Sequence, residues 1–224
     1  MIKIQTFTFN PFQENTYLLF DETKECIIID PGCYEKAEQD LLKTFVEENE
    51  LKPVKLINTH CHIDHVLGNK FVANTWGINL EMHELDLPLL HSVKDYCAAY
   101  GFDNYDESPE PSTFLKEGKK VCFGNSNLDI LFTPGHAPGH IILHSPEQKF
   151  VIAGDVLFQM SIGRTDLPGG DYDTLINSIK TVLLPLAENT QVFCGHGPST
   201  NIGFEKANNP CLLYTSDAAD DVEC

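Results

Sequence analysis

Four short apolar runs in this 224-residue chain each end on a side chain of the kind that binds metals, and this constrains the fold more than any other feature. VKLINT (54 to 59) leads into THCHIDHVLG, which packs His60, His62, Asp64 and His65 into six positions. DILFT leads to TPGHAPGH and His136, KFVIAG leads to Asp155, and QVFCG leads to His196. Short apolar runs bounded by Gly, Pro, Asn and Asp read as strands. Loops at the ends of strands, held by a rigid sheet, are where sites are built. Small residues beside each donor let the backbone approach a shared centre. Five imidazoles and two carboxylates suit zinc, iron or manganese, and the lack of clustered cysteines argues against a purely structural zinc.

The rest of the chain fits that frame. IKIQTFTF, NTYLLF and ECIIID read as opening strands. YEKAEQDLLKTFVEENE places Leu41, Leu42, Phe45 and Val46 on one helical face. A second helix is predicted from about His65 through Val66 to Asn74, then a strand at INLEMH (78 to 83). Residues 84 to 118 hold helical pieces and a polar, Pro-containing stretch, and read as an insertion over one face. NLDILFT, HIILHS, KFVIAG and QVFCG are strands, and DYDTLINSIKTVLLPLA is a helix whose acidic start suits the helix dipole. Strands, mixed elements, then strands and helix predict an α+β domain of sheets covered by helices. Without a repeat or linker, the reading is one domain.

Charge and composition exclude several classes. The net charge of −18 repels a phosphate backbone, so no nucleic-acid partner is expected. No run approaches the roughly 18 apolar residues of a membrane span, and MIKIQTFTFNPF reads as a strand, so no membrane partner and a cytoplasmic location are expected. Eight cysteines without a CxxC pair read as free thiols in a reducing compartment. CLLYTSDAADD (211 to 221) matches the translation of a transposon-type sequencing adapter. The domain is therefore assigned to residues 1 to 210, and residues 211 to 224 are set aside as a non-native scar, expected to be disordered or weakly packed. Nothing in the pattern fixes an oligomeric state.

HxHxDH, a later His, a GD and a GHG, in this order, resemble the metallo-β-lactamase superfamily, and most closely its single-domain glyoxalase II-like hydrolases. The resemblance spans residues 2 to 210. It implies an αββα sandwich: two mixed β-sheets flanked by helices, with the site at one edge. It also implies that His60, His62 and His136 hold one metal, Asp64, His65 and His196 a second, and that Asp155 bridges them. Two metals about 3.5–4 Å apart can share a water and lower its pKa, giving a bridging hydroxide as nucleophile. Asp64 could orient that hydroxide as well as bind metal. A thiol with pKa near about 8.5 leaves without a dedicated acid. That suits the substrate the resemblance implies, an acyl-thioester such as S-2-hydroxyacylglutathione. Zinc is the expected metal, with iron or manganese as alternatives.

SIGRTDLPGGD (161 to 171) resembles the segment after the bridging Asp in the glyoxalase II-like subgroup, with Arg164 and Asp166 expected to pair. The helical C-terminal extension that helps bind glutathione in two-domain glyoxalase II enzymes has no counterpart in this sequence. The alternative reading is a mononuclear iron persulfide (sulfur) dioxygenase, using two His and one Asp. Outside the motifs, His83, His91 and His144 read as structural, His140 as loop support, and Cys61 as packing. Asp30 either accepts a hydrogen bond from a ligand imidazole or simply shapes its turn.

Overall fold

In the computed structural model, which describes residues 1 to 213, β1 (Lys3–Phe9) and β2 (Glu14–Phe20) form an antiparallel hairpin, and β3 (Glu25–Ile29) pairs antiparallel with β2. The chain crosses through α1 (Lys36–Glu48) and returns as β4 (Lys52–Ile57), parallel to β3. Glu38 in the first turn of α1 fixes that crossing by accepting the N–H groups of Asn10, Tyr34 and Glu35. After α2 (Ile63–Val66) and α3 (Asn69–Trp76) comes β5 (Leu80–Met82). After α4 (Leu87–Tyr96), β6 (Thr113–Phe114) completes a six-stranded mixed sheet in sequential order.

The second sheet also has six strands. β7 (Lys120–Phe123), β8 (Ser126–Phe132), β9 (Ile141–Ser145) and β10 (Phe150–Gly154) run antiparallel in turn. A small ribbon follows, β11 (Leu157–Phe158) and β12 (Ser161–Ile162), then α5 (Tyr172–Ser178), N-capped by Asp171. β13 (Gln191–Cys194) lies parallel to β10, and β14 (Thr200–Asn201) closes the edge. α6 (Ile202–Asn208) and α7 (Pro210–Leu213) end the described chain.

The two-residue period of the strands divides the apolar side chains among three cores. Ile28 and Leu56 pack against Leu42, Val46, Val66 and Leu90 of the helices over the first sheet. Ile27, Ile29 and Ile57, on the opposite face, meet Leu128, Ile130, Leu143 and Ile152 between the sheets. Val151, Ala153 and Val192 turn outward to Leu175, Ile179 and Ile202. The layers are helix, sheet, sheet, helix, as expected.

Three local expectations change. The helix predicted from His65 to Asn74 is two helices broken around Gly68, whose N–H donates to Pro31 O at 2.7 Å. A Cβ there would collide with Cys33 Sγ and Pro31 O, so the Pro31–Cys33 turn sets the break. Leu41, placed on the buried face of α1, is 55% exposed, and the core takes Leu42 and Val46. Residues 211 to 213, expected to be loose, are helical, with Cys211 and Leu212 buried against the outer core. Apolar residues at the end of α6 have bare core to cover, whatever their origin. The remainder of the scar reading, residues 214 to 224, lies outside the described residues.

Candidate metal centre

The donors gather where β4, β8, β10 and β13 end. The side chains of His60 and His62 turn to one centre, while Cys61 between them turns into the helix-side core, 3.6 Å from Met82 Sδ. Donor atoms of His60, His62 and His136 fall within 4.8 Å of one another, as do those of Asp64, His65 and His196. Asp155 lies between the groups: its Oδ1 is 3.4 Å from His65 Nε2, and its Oδ2 is 3.5 Å from His136 Nε2 and 3.4 Å from His196 Nε2. All seven residues singled out in the sequence are thus brought to one place. Gly195 makes room for this, because a Cβ there would overlap Asp155 Oδ1.

The opposite edges of the imidazoles are anchored, which fixes the nitrogen each presents. His136 Nδ1 donates to Arg164 O at 2.7 Å, and His196 Nδ1 to Phe12 O at 3.0 Å. Thr59 Oγ1 donates to Asp30 and lies 3.1 Å from His60 Nδ1, which donates to it. Asp30 Oδ2 is also 3.3 Å from His65 Nδ1. Asp30, His60 and His65 form a third close cluster, but both Asp30 oxygens already accept from Thr59, so Asp30 orients the ligands. It shapes its turn as well, with a φ of 50°. His140 takes the supporting role expected: Nε2 accepts the Asp155 N–H at 3.1 Å while Nδ1 faces Thr133 Oγ1. His83 stacks on Phe132 and His91 pairs with Glu110, both away from the cluster. Arg164 and Asp166 form the expected bidentate pair, at 2.7 Å for each contact.

Electrostatics divide the donors. Burial, then the neighbouring imidazoles, push His60 well below the usual histidine range and His62 down to about 3. Burial disfavours a charge on His65 and His196 too, but Asp64 and Asp155 outweigh it, holding His65 well above its ordinary value and His196 at about 10. The same contacts overcome burial at Asp155 and hold its carboxyl well below the carboxylate range. His60 and His62 are thus held neutral and the carboxylates ionised, while Asp64 and Asp155 favour protons on His65 and His196 that a bound cation would displace, since metal ligation releases protons from its ligands.

The residues fit two cations. Among the described residues, His60 Nε2, His62 Nε2, both nitrogens of His65 and Asp155 Oδ1 are buried with no hydrogen-bond partner. His62 Nδ1 and His136 Nε2 face each other at 2.8 Å. Buried unpaired polar atoms are costly and uncommon, so their concentration at one point marks a place for ions.

The sequence profile of the Metallo-beta-lactamase superfamily matches residues 9 to 196. The chain belongs to that superfamily. It is 40% identical over 216 residues to hydroxyacylglutathione hydrolase GloC of Haemophilus influenzae, covering 94% of this chain and 98% of that protein. Among solved structures it is similar to BLEG-1 B3 metallo-beta-lactamase, with TM-score 0.85, 34% identity, and coverage of 94% of this chain and 100% of that one. It is also similar to TTHA1623 in a di-iron-bound form, with TM-score 0.81, 37% identity, and coverage of 92% and 98%. The protein is a metallo-hydrolase of the metallo-β-lactamase superfamily, with a His/Asp cluster suited to a dinuclear metal site.

Two residues of the site escaped the sequence reading. Asp86 stands at the N-terminus of α4 just before Leu87-Pro88, where a capping role is the natural reading, yet its side chain makes no cap bond. It turns inward to accept the N–H groups of Cys61 and Gly139, tying the loop of His60 and His62 to the loop of His136 and His140. Glu14, fully buried, has Oε1 3.9 Å from His65 Nδ1, and burial pushes its carboxyl well above the usual range. In the sequence, Glu14 is only a polar residue at the start of a strand.

Proposed function

We propose that the protein hydrolyses acyl-thioesters, of which S-2-hydroxyacylglutathione is the reference member, with His60, His62 and His136 holding one metal, Asp64, His65 and His196 a second, and Asp155 between them. Zinc is the proposed metal, with iron and manganese compatible with the same donors. Metals held there supply a low-pKa water and polarise the scissile carbonyl. The reaction breaks the C–S bond, forms a C–O bond from water, and releases a carboxylate, a thiol and a proton.

The observation that carries this reading is the set of inward-facing donor atoms without partners at the base of a cavity. The chain's own part is to hold the donors, orient them and keep bulk water out. Asp64, which lines the cavity with its Oδ2 3.1 Å from His196 Nε2, would orient the attacking water besides holding metal. No general acid is needed on the sulfur side, because a thiol is acidic enough to leave as thiolate. The two serines that line the cavity do not serve as nucleophiles: Ser92 and Ser161 hydroxyls donate to the backbone at Leu89 and Ile162. Among the described residues, no helix is long and apolar enough to cross a membrane. A small-molecule substrate in the cytoplasm, with neither nucleic acid nor membrane as partner, completes the proposal.

Elemental mass spectrometry of the purified protein alongside hydrolysis of S-D-lactoylglutathione tests it. Near two metals per chain with thioester turnover is the expected result. One iron per chain, no thioester turnover and oxygen uptake with a persulfide would replace this reading with the mononuclear dioxygenase.

A further inference from the structure

The cavity over the donors has a volume of about 740 Å³, which accommodates a substrate much larger than a lactoyl group. Its walls come from separate parts of the chain: Phe12 in the β1–β2 turn, Leu89 and Tyr96 on α4, Tyr100 just beyond it, and Phe158 and Ile162 on the β11–β12 ribbon. Phe12 is 39% and Tyr100 54% exposed, and their rings stand 6.0 Å apart at the mouth. Large aromatic rings left open to solvent around a concave site are surface awaiting a ligand.

The charges on the wall are equally informative. Among the described lining residues the one permanent cation is Arg164, and Asp166 already engages one edge of its guanidinium, through Nε and Nη2. Apart from the imidazoles of the metal centre, the other charged side chains there are Asp64 and Asp155, and the whole chain carries −18. A glutathione arm would bring two carboxylates and an ammonium group. Arg164, its charge already shared with Asp166, could meet one carboxylate through its remaining N–H groups, and no second permanent cation among the described lining residues would meet the other.

We propose that this cavity selects acyl-thioesters with a bulky apolar, preferably aromatic, acyl group on a thiol arm without net charge, and that Phe12, Tyr96 and Tyr100 set this preference over glutathione thioesters. The inference rests on the thioesterase reading. The aromatic rings bury the acyl group, while an uncharged arm needs no cation beyond the Arg164 that Asp166 already neutralises.

The test uses the metal-loaded protein and matched probes. The acyl group is compared on one thiol, as S-mandeloyl- against S-lactoyl-N-acetylcysteamine. The thiol is compared on one acyl group, as S-lactoyl-N-acetylcysteamine against S-lactoylglutathione. The favoured member of each pair should have kcat/KM about tenfold higher or more. Tyr100→Ser should shrink the mandeloyl-to-lactoyl ratio several-fold. Calorimetry with two thioethers that cannot be hydrolysed, S-benzyl-N-acetylcysteamine and S-benzylglutathione, reads selection without turnover, and the uncharged one should bind tighter. Preference for the glutathione member in turnover and in binding would overturn the inference while leaving the thioesterase reading intact. If no thioester is hydrolysed, the thioesterase reading fails, and the calorimetry still decides whether the cavity prefers the uncharged apolar arm.

Discussion

Replacing Asp86 by alanine should weaken the fold in a way that grows as the solution becomes more acidic. The carboxylate is 1% exposed and accepts the N–H of Cys61 at 3.0 Å and that of Gly139. Asp86→Ala strands two buried donors, each costing about 1–3 kcal/mol, for a central loss of about 4 kcal/mol. An opposing contribution comes from charge. Burial pushes Asp86 up to about 6, despite its two backbone hydrogen bonds. A folded-state value about two units above that of the unfolded chain means the folded protein holds this proton more tightly. The stability from that group is complete below about pH 4 and is lost as pH rises through about 6, a change of about 3 kcal/mol. Truncation removes the ionisation cost along with the hydrogen bonds. The variant's deficit is therefore expected to be about 1 kcal/mol at pH 7.5 and to rise to about 3 kcal/mol near pH 4.5. Urea unfolding of chelator-treated wild type and variant at several pH values measures this, with metal excluded so that ligand protonation does not enter. A deficit that stays constant or narrows on acidification would refute the assignment of Asp86 as a buried clamp between the two ligand loops.

Two further outcomes can be measured directly. Gly195→Ala inserts a Cβ into Asp155 Oδ1 without altering any donor, so the folded variant, checked by circular dichroism, should retain fewer than two metals per chain by elemental analysis; full occupancy would contradict the bridging position of Asp155. At Asp21 burial opposes ionisation, but the N–H and hydroxyl of Thr23, the N–H of Asn125 and the hydroxyl of Ser126 outweigh it and hold the carboxyl at about 2. This lowered value contributes about 2 kcal/mol above about pH 4, lost as pH falls towards 2, so Asp21→Asn should flatten the acid limb of the stability curve, and an unchanged limb would remove Asp21 as its source.

The seven donors were legible because metal chemistry restricts residue type, and because each donor follows a strand whose apolar run is visible locally. The layering followed from the same runs, since the two-residue period of ECIII can be satisfied only if both faces are covered. Strands β6, β11, β12 and β14 were missed because two residues are too few to show a period; they exist because a neighbouring strand offers free backbone groups. Asp86 and Glu14 were illegible for a different reason. Their partners are backbone N–H groups and an imidazole far along the chain, and any residue type carries an N–H, so no motif marks such a bond. The cavity wall is the extreme case. Phe12, Tyr96 and Phe158 are ordinary aromatic residues in separate segments, and only the meeting of the β1–β2 turn, α4 and the ribbon makes them one surface. Reaction type therefore rests on chemically restricted residues that a sequence displays, whereas substrate choice rests on apolar walls assembled by the tertiary fold. This is why the hydrolase could be read before the structure and the charge-poor, aromatic character of its pocket could not.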